Sequence, residues 1–185
     1  MRLFIGLALP ENIRSTLSAV QSGLPGAKWV KPENFHMTLR FIGDTERRVA
    51  EDIDSSLSDI RVPAFDMKLS GLGCFETKGR VRSLWVQVLK SEPLKRLHEK
   101  IESAVVRTGF EPERRKFKPH ITLARFKGGA SSDRIGMFME THNGIQIESF
   151  TVNQFTLFRS HLGGEGSVYE PLAEYELYEE IMIGA

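Results

Sequence analysis

Two short segments hold the residue types that acid–base chemistry needs. Residues 36 to 41 read His36-Met37-Thr38-Leu39-Arg40-Phe41, and residues 120 to 126 read His120-Ile121-Thr122-Leu123-Ala124-Arg125-Phe126. Both are H-x-T-L, and both lead into Arg-Phe. The chain has five His among 185 residues. With its own Thr and Leu usage, random placement would give two such matches with a chance on the order of 2 in 10,000. In an extended strand side chains alternate, so His36 and Thr38 share one face while Met37 and Leu39 take the other. The second segment behaves alike, with His120 and Thr122 against Ile121 and Leu123. If the strands face each other, two imidazoles and two hydroxyls meet in one cleft. Such a cleft suits phosphodiester chemistry without a metal. A neutral imidazole takes a proton from water, and a protonated one gives a proton to the leaving oxygen. Histidine fits both roles because its ordinary pKa is about 6.5. The Thr hydroxyls can donate to the phosphate oxygens as charge builds.

Other readings of the same residues are weaker. A lone strand histidine is ordinarily a packed or surface residue, and only the pairing lifts these two above that fate. A zinc site on both would need further ligands, but no acidic residue or Cys has ligand spacing and no H-E-x-x-H occurs. His98 lies in a charged helical stretch and reads as solvated, while His142 and His161 fall near turns. A non-catalytic nucleotide or RNA phosphate-binding module is the alternative from another class. It would use the same histidines only as phosphate contacts.

The elements that must position these residues follow from periodicity. Leu3 to Leu9 reads as a buried strand. A helix opens at Pro10 with Ile13, Leu17 and Val20 on one face. Phe35 to Ile42 is a strand, followed by a helix from a Thr45 cap to about Ile60. Phe65, Met67 and Leu69 alternate, and with Leu84 to Leu89 they predict a hairpin through the polar link 76–80. Ser91 caps a long helix with Leu94, Leu97, Ile101 and Ala104 inward. The second half predicts a strand over Phe117 to Phe126, a loop over 127–132 and a short helix over Asp133 to Glu140. Strands follow within Ile145 to Phe158 and over Tyr169 to Tyr178. Hairpins argue against a parallel sheet, so the fold class is α+β with mainly antiparallel sheets.

Composition narrows the classes. Hydrophobic residues make up 41% and charged residues 26%, with net charge +1, which excludes disorder as the main state. The single cysteine, Cys74, excludes a disulfide scaffold and a CxxC zinc site. It fits a reducing cytoplasm. No apolar run approaches the ~20 residues a membrane helix needs. The apolar N-terminal stretch is followed by Pro10-Glu11-Asn12 rather than a cleavage site, so a strand is expected there and not a signal peptide. A globally basic nucleic-acid binder is excluded, but a local basic groove is not. Arg114-Arg115-Lys116-Phe117-Lys118 is the candidate stretch for RNA attraction.

The motifs together resemble the 2H phosphoesterases, and within them the RNA 2',3'-cyclic phosphodiesterases, also called 2'-5' RNA ligases. Arg2-Leu3-Phe4-Ile5-Gly6-Leu7 is similar to the family's first strand. Trp29 to Leu39 and Lys118 to Arg125 resemble its two motifs, and Leu157 to Ser160 with Tyr169 to Leu172 its close. The resemblance implies one bilobal domain over residues 1–185, two similar lobes related by a pseudo-twofold around a cleft. It implies opening of a 2',3'-cyclic phosphate at an RNA 3' end to a 2'-phosphate, without cofactor or metal, with 2'-5' ligation as the reverse direction. His36 would be the proton donor and His120 the proton acceptor; the sequence itself does not distinguish them. Thr38 and Thr122 would hold the phosphate. Arg125 would bind substrate, although its odd offset from His120 requires a bulge or strand end to turn it into the cleft. Phe4 would offer a stacking surface. The partner is then RNA or a nucleotide with a 2',3'-cyclic phosphate, with no membrane, and a cytoplasmic monomer is expected.

Overall fold

The computed structural model describes residues 1–164 and 166–181. In chain order the elements are β1 (Arg2–Ala8), α1 (Glu11–Ser18), β2 (Lys28–Trp29), β3 (His36–Asp44), α2 (Arg47–Ser58), β4 (Phe65–Met67) and β5 (Leu69–Thr77). Then come β6 (Arg80–Val88), α3 (Glu92–Arg107), β7 (His120–Ala130), α4 (Ser132–Thr141), β8 (Phe150–Val152), β9 (Gln154–Gly163) and β10 (Gly166–Glu176). A 3-10 turn, Pro32–Asn34, precedes β3.

One antiparallel sheet runs β10-β9-β1-β3-β7-β6-β5, with β2 also paired to β7. β4 and β8 form a separate pair. The sheet has a seam at its middle. β1 follows β3 along its whole length, and β6 follows β7, but β3 meets β7 in a single registered pair, Met37 with Ile121. Each side of that seam carries one H-x-T-L segment, and both sides belong to one sheet. The α+β, mainly antiparallel class is the one observed.

The sheet's core face packs on three helices. Leu3, Ile5, Leu7, Met37, Leu39, Ile121 and Leu123 join Ile13 and Leu17 of α1, Ile53 and Leu57 of α2, and Leu97 and Ile101 of α3 in one cluster. Ser91 caps α3, its Oγ accepting from the Leu94 N–H at 3.4 Å. Thr45 does not cap α2: that place falls to Glu46, with no side-chain bond, and the Thr45 N–H donates to Met1 O.

Three local expectations change. β7 starts at His120 rather than Phe117 and continues to Ala130, through what reads as a loop. Gly128 and Gly129 take positive φ there, a bend that ladder pairing of Ala130 with Val81 still tolerates. The expected hairpin is formed by β5 and β6, while Phe65 and Met67 pair with β8 instead, and its link tightens to Lys78-Gly79, both at positive φ, as a two-residue hairpin demands. β2 is too short to leave a periodic signal.

Candidate active site

Antiparallel register fixes the arrangement of the motif residues. With Met37 opposite Ile121, one step either way sets His36 across from Thr122 and Thr38 across from His120. Met37 and Ile121 are both fully buried in the core, so these four side chains take the opposite face. The strands β3 and β7 thus contribute one His–Thr pair each, related by a local twofold through the seam.

Both imidazoles are held the same way. His36 Nδ1 lies 2.7 Å from Asn34 O, and His120 Nδ1 lies 2.6 Å from Lys118 O. A carbonyl only accepts, so each Nδ1 carries the proton and donates it to the residue two positions upstream. Nε2 is left as the basic atom in both rings. The Thr38 hydroxyl is 3.0 Å from His36 Nε2 and donates to it when the ring is neutral.

Each ring also rests on aromatic neighbours. His36 meets Phe4 at 4.7 Å and Tyr169 edge-on at 5.0 Å, with Phe158 stacked beneath Phe4. His120 meets Phe75 edge-on at 4.9 Å and Trp85 at 5.7 Å. Phe4 is only 3% exposed, so it is foremost a wall behind His36. Of these supports Phe4, Phe158 and Tyr169 fall in segments that the family resemblance marks, whereas Phe75 and Trp85 come from distant strands and nothing local marks them.

A matched distortion appears beside each motif. Ile5 pairs with Arg40 and Gly6 with Thr38, which leaves Leu39 without a partner. Leu84 pairs with Ala124 and Trp85 with Thr122, which leaves Leu123 without one. The bulge puts two successive residues on the core side and shifts the alternation by one. Arg40 and Ala124 are therefore buried, at 8% and 0% exposure. Phe41 and Arg125 return to the cleft face and line it. This is how Arg125 overcomes its odd offset.

The cleft encloses about 370 Å³ on the His36 side of the seam, with Phe4, His36, Thr38 and Arg125 in its wall, whereas His120 and Thr122 stand beyond its lining. Its described lining includes Arg2, Lys28, Lys31 and Arg125 and no carboxylate. Burial lowers the His36 pKa to about 4, helped by the charges of Arg125 and His120 and opposed by the Asn34 bond. Burial, with Arg125, also pulls His120 below its ordinary value. Among the described residues no group of three His, Cys, Asp or Glu is placed to hold a metal ion.

Other candidates lie elsewhere. Arg114, Arg115 and Lys118 are exposed and do not line the cleft, and Lys116 with Phe117 borders a separate groove along α3. His98 is half-buried rather than fully solvated, its ring stacking on Phe117 at 3.8 Å. His142 packs on Phe138, and His161 pairs with Glu170. Arg40 is not a surface residue. It is buried against Glu102 and Glu113.

Comparison with known proteins agrees with this geometry. The family described as LigT like phosphoesterase matches residues 7–85 and 87–169, segments that each hold one H-x-T-L motif. A protein of Aeropyrum pernix named RNA 2',3'-cyclic phosphodiesterase is 36% identical, covering 85% of this chain and 89% of its own length. A solved structure from Thermus thermophilus superimposes with TM-score 0.81 at 29% identity, covering 97% of this chain and all of the other. E. coli LigT complexed with 3'-AMP superimposes with TM-score 0.77 at 26% identity, covering 95% and 97%. Two mirrored histidine motifs, the sheet that carries them and these matches lead to one assignment: the chain belongs to the LigT-like phosphoesterase family, the 2H phosphoesterases.

Proposed function

We propose that the chain hydrolyses the 2',3'-cyclic phosphodiester at an RNA 3' end to a 2'-phosphomonoester, by proton transfer between two histidines and without a metal. The observation that carries this reading is the matched pair of imidazoles. Each has its Nδ1 proton committed to a carbonyl and its Nε2 left to exchange protons, and the Thr38 hydroxyl stands beside His36 Nε2. Relatives that share the fold are named for this activity, and one solved relative holds 3'-AMP.

The position of the cleft supports the division of roles. The roomy, cationic side belongs to His36, so the ribose is seated there. Both ester oxygens of a 2',3'-cyclic phosphate sit on that ribose. The leaving 3' oxygen therefore departs toward His36, and in-line attack brings water from the His120 side. His120 Nε2 takes the proton from water as the new P–O bond forms. The P–O3' bond breaks, and His36 Nε2–H gives its proton to the 3' oxygen. The products are a 2'-phosphate and a 3'-hydroxyl. Thr38 and Thr122 donate to the non-bridging oxygens, and Arg125 offsets their negative charge. An RNA hydroxyl attacking in place of water would yield a 2'-5' linkage by the same proton route. The reading takes residues 1–185 as one bilobal unit, acting on RNA as a cytoplasmic monomer. No described helix is long and apolar enough to cross a membrane.

The test is turnover of a cyclic-ended oligonucleotide with product identification. His36→Ala and His120→Ala should each lower kcat by about 10²–10⁴, the usual worth of a positioned acid or base. The product should be the 2'-phosphate, and a chelator should change little. Activity lost to chelation and restored by zinc would overturn the proton-transfer mechanism. Saturable binding that tightens toward low pH, with no turnover, would instead mark a binding module.

A further inference from the structure

The cleft is built for more than one phosphate. The scissile group is served by the two His–Thr pairs, yet further cations line the same cleft. Lys28 stands directly across from Arg125 in the β2–β7 pairing. Like charges in directly opposed positions repel. Neither has a carboxylate partner among the described residues. Arg2 approaches the same space from β1, its guanidinium 5.2 Å from the Phe41 ring centroid. Arg2 too has no carboxylate partner among the described residues. Phe41 is 48% exposed and walls the cleft between Arg2 and Thr38. A pair of opposed cations around a wet cavity is unfavourable until an anion sits between them.

Resting on the reading of the site above, we propose that Lys28, opposed by Arg125 and flanked by Arg2, holds the phosphodiester on the 5' side of the terminal nucleotide. The preferred substrate is then an RNA chain with a cyclic end rather than a bare cyclic nucleoside. The terminal nucleoside lies between two phosphate stations. One is the histidine pair at its 3' side, and the other is Lys28 with Arg2 at its 5' side, while Arg125, whose charge also reaches both imidazoles, spans the two. This follows the general rule that backbone phosphates position a nucleic acid for chemistry read elsewhere.

The experiment compares three substrates on the full chain: adenosine 2',3'-cyclic phosphate, the same nucleotide with a 5'-phosphate, and a cyclic-ended dinucleotide. The second and third should exceed the first in kcat/KM by about tenfold, chiefly through KM, as one charge-assisted contact would give. Lys28→Gln should remove most of that gain. For the dinucleotide it should also flatten the log–log salt dependence by roughly 0.7, the loss of one contact to a single strand. Lys95→Gln, an exposed cation on α3, should leave the gain in place. Equal rates on all three substrates, or a Lys28→Gln loss that is the same on each, would overturn the 5' station while leaving the cyclic phosphodiesterase reading intact. A gain for the dinucleotide but not for the 5'-phosphorylated nucleotide would overturn it too, in favour of base stacking. No turnover of any of the three would overturn the reading of the site itself, and the station with it.

Discussion

An imidazole whose Nδ1 proton is held by a carbonyl trades protons through Nε2 alone, and both His36 and His120 are in that position. The next question is which charge each ring carries. Burial disfavours the imidazolium, and the cation of Arg125 adds to this, so both rings sit below the usual value, with His36 at about 4. The proposed reaction needs His36 protonated and His120 neutral, and because burial depresses His36 the more, only a minor share of the singly protonated free enzyme carries its proton on the donor. In the free enzyme that singly protonated form is most populated between the two pKa values, hence on the acid side of 6.5. The kcat/KM profile should therefore be a bell with its optimum below 6.5. An anionic phosphate in the cleft favours imidazolium and raises both values, so the kcat optimum should lie at higher pH than the kcat/KM optimum. Arg125→Gln removes a positive neighbour. It should move the kcat/KM optimum upward while raising KM. Profiles of both parameters across about pH 4 to 9 check this, and a kcat optimum on the acid side of the kcat/KM optimum would contradict it.

At the scale of elements, two tight contacts hold the histidine strands. Gly6 of β1 lies so close to β3 that a Cβ there would come within 2.8 Å of Met37 O and 3.5 Å of His36 Cδ2. Gly73 of β5 lies under the Trp85 ring, which a Cβ there would strike. Gly6→Ala should force β1 from β3 beside His36, and Gly73→Ala should push Trp85 toward His120. Each should cost about 1–3 kcal/mol, as overpacking does, seen as a lower midpoint in urea. Each should also lower kcat, and Gly73→Ala should shift the tryptophan emission. An unchanged midpoint in both variants would mean that the backbone yields freely at these sites. These contacts also show how far the sequence could be read. Alternation in H-x-T-L is enough to put His36 and Thr38 on one face. The bulges at Leu39 and Leu123 are not legible, because each depends on the register of a neighbouring strand. That is why Arg40, at an even offset from His36, ends in the core and not on the cleft face. The aromatic supports of the two histidines likewise come from β5, β6, β9 and β10; the link 76–80 marks the β5–β6 turn, but no local pattern specifies that these strands flank the histidines. Nor does the charge of residues 114–118 foretell their place, since cations gather where strands converge rather than where they cluster in sequence.

At the scale of the molecule, the two lobes must hold two imidazoles at a fixed separation although their strands share one registered pair at the seam. Packing on α1, α2 and α3 supplies most of the connection. Arg40 supplies a directional part. From β3 its guanidinium reaches Glu102 of α3 at 3.3 Å, Glu113 at 3.5 Å and the Glu111 carbonyl at 2.6 Å. The segment holding Glu111 and Glu113 runs directly toward His120. One buried side chain thus ties the strand of the first histidine to the approach of the second. Arg40→Met keeps the stem's bulk but leaves Glu102, 21% exposed, without its cation. Losing one partner of a buried pair costs about 3–5 kcal/mol. Partial access to water at Glu102 and Glu113 lowers the expected loss to about 2–3 kcal/mol. Arg40→Met with Glu102→Leu should recover much of it, because no lone charge is then buried. Catalysis separates a positioning part from simple stability. In folded Arg40→Met, kcat should fall by about tenfold with KM little changed, since a small misplacement of reacting groups is costly. The double variant should regain stability without regaining kcat. If both recover together, Arg40 serves the fold alone; if neither changes in the single variant, packing by itself sets the distance between the histidines.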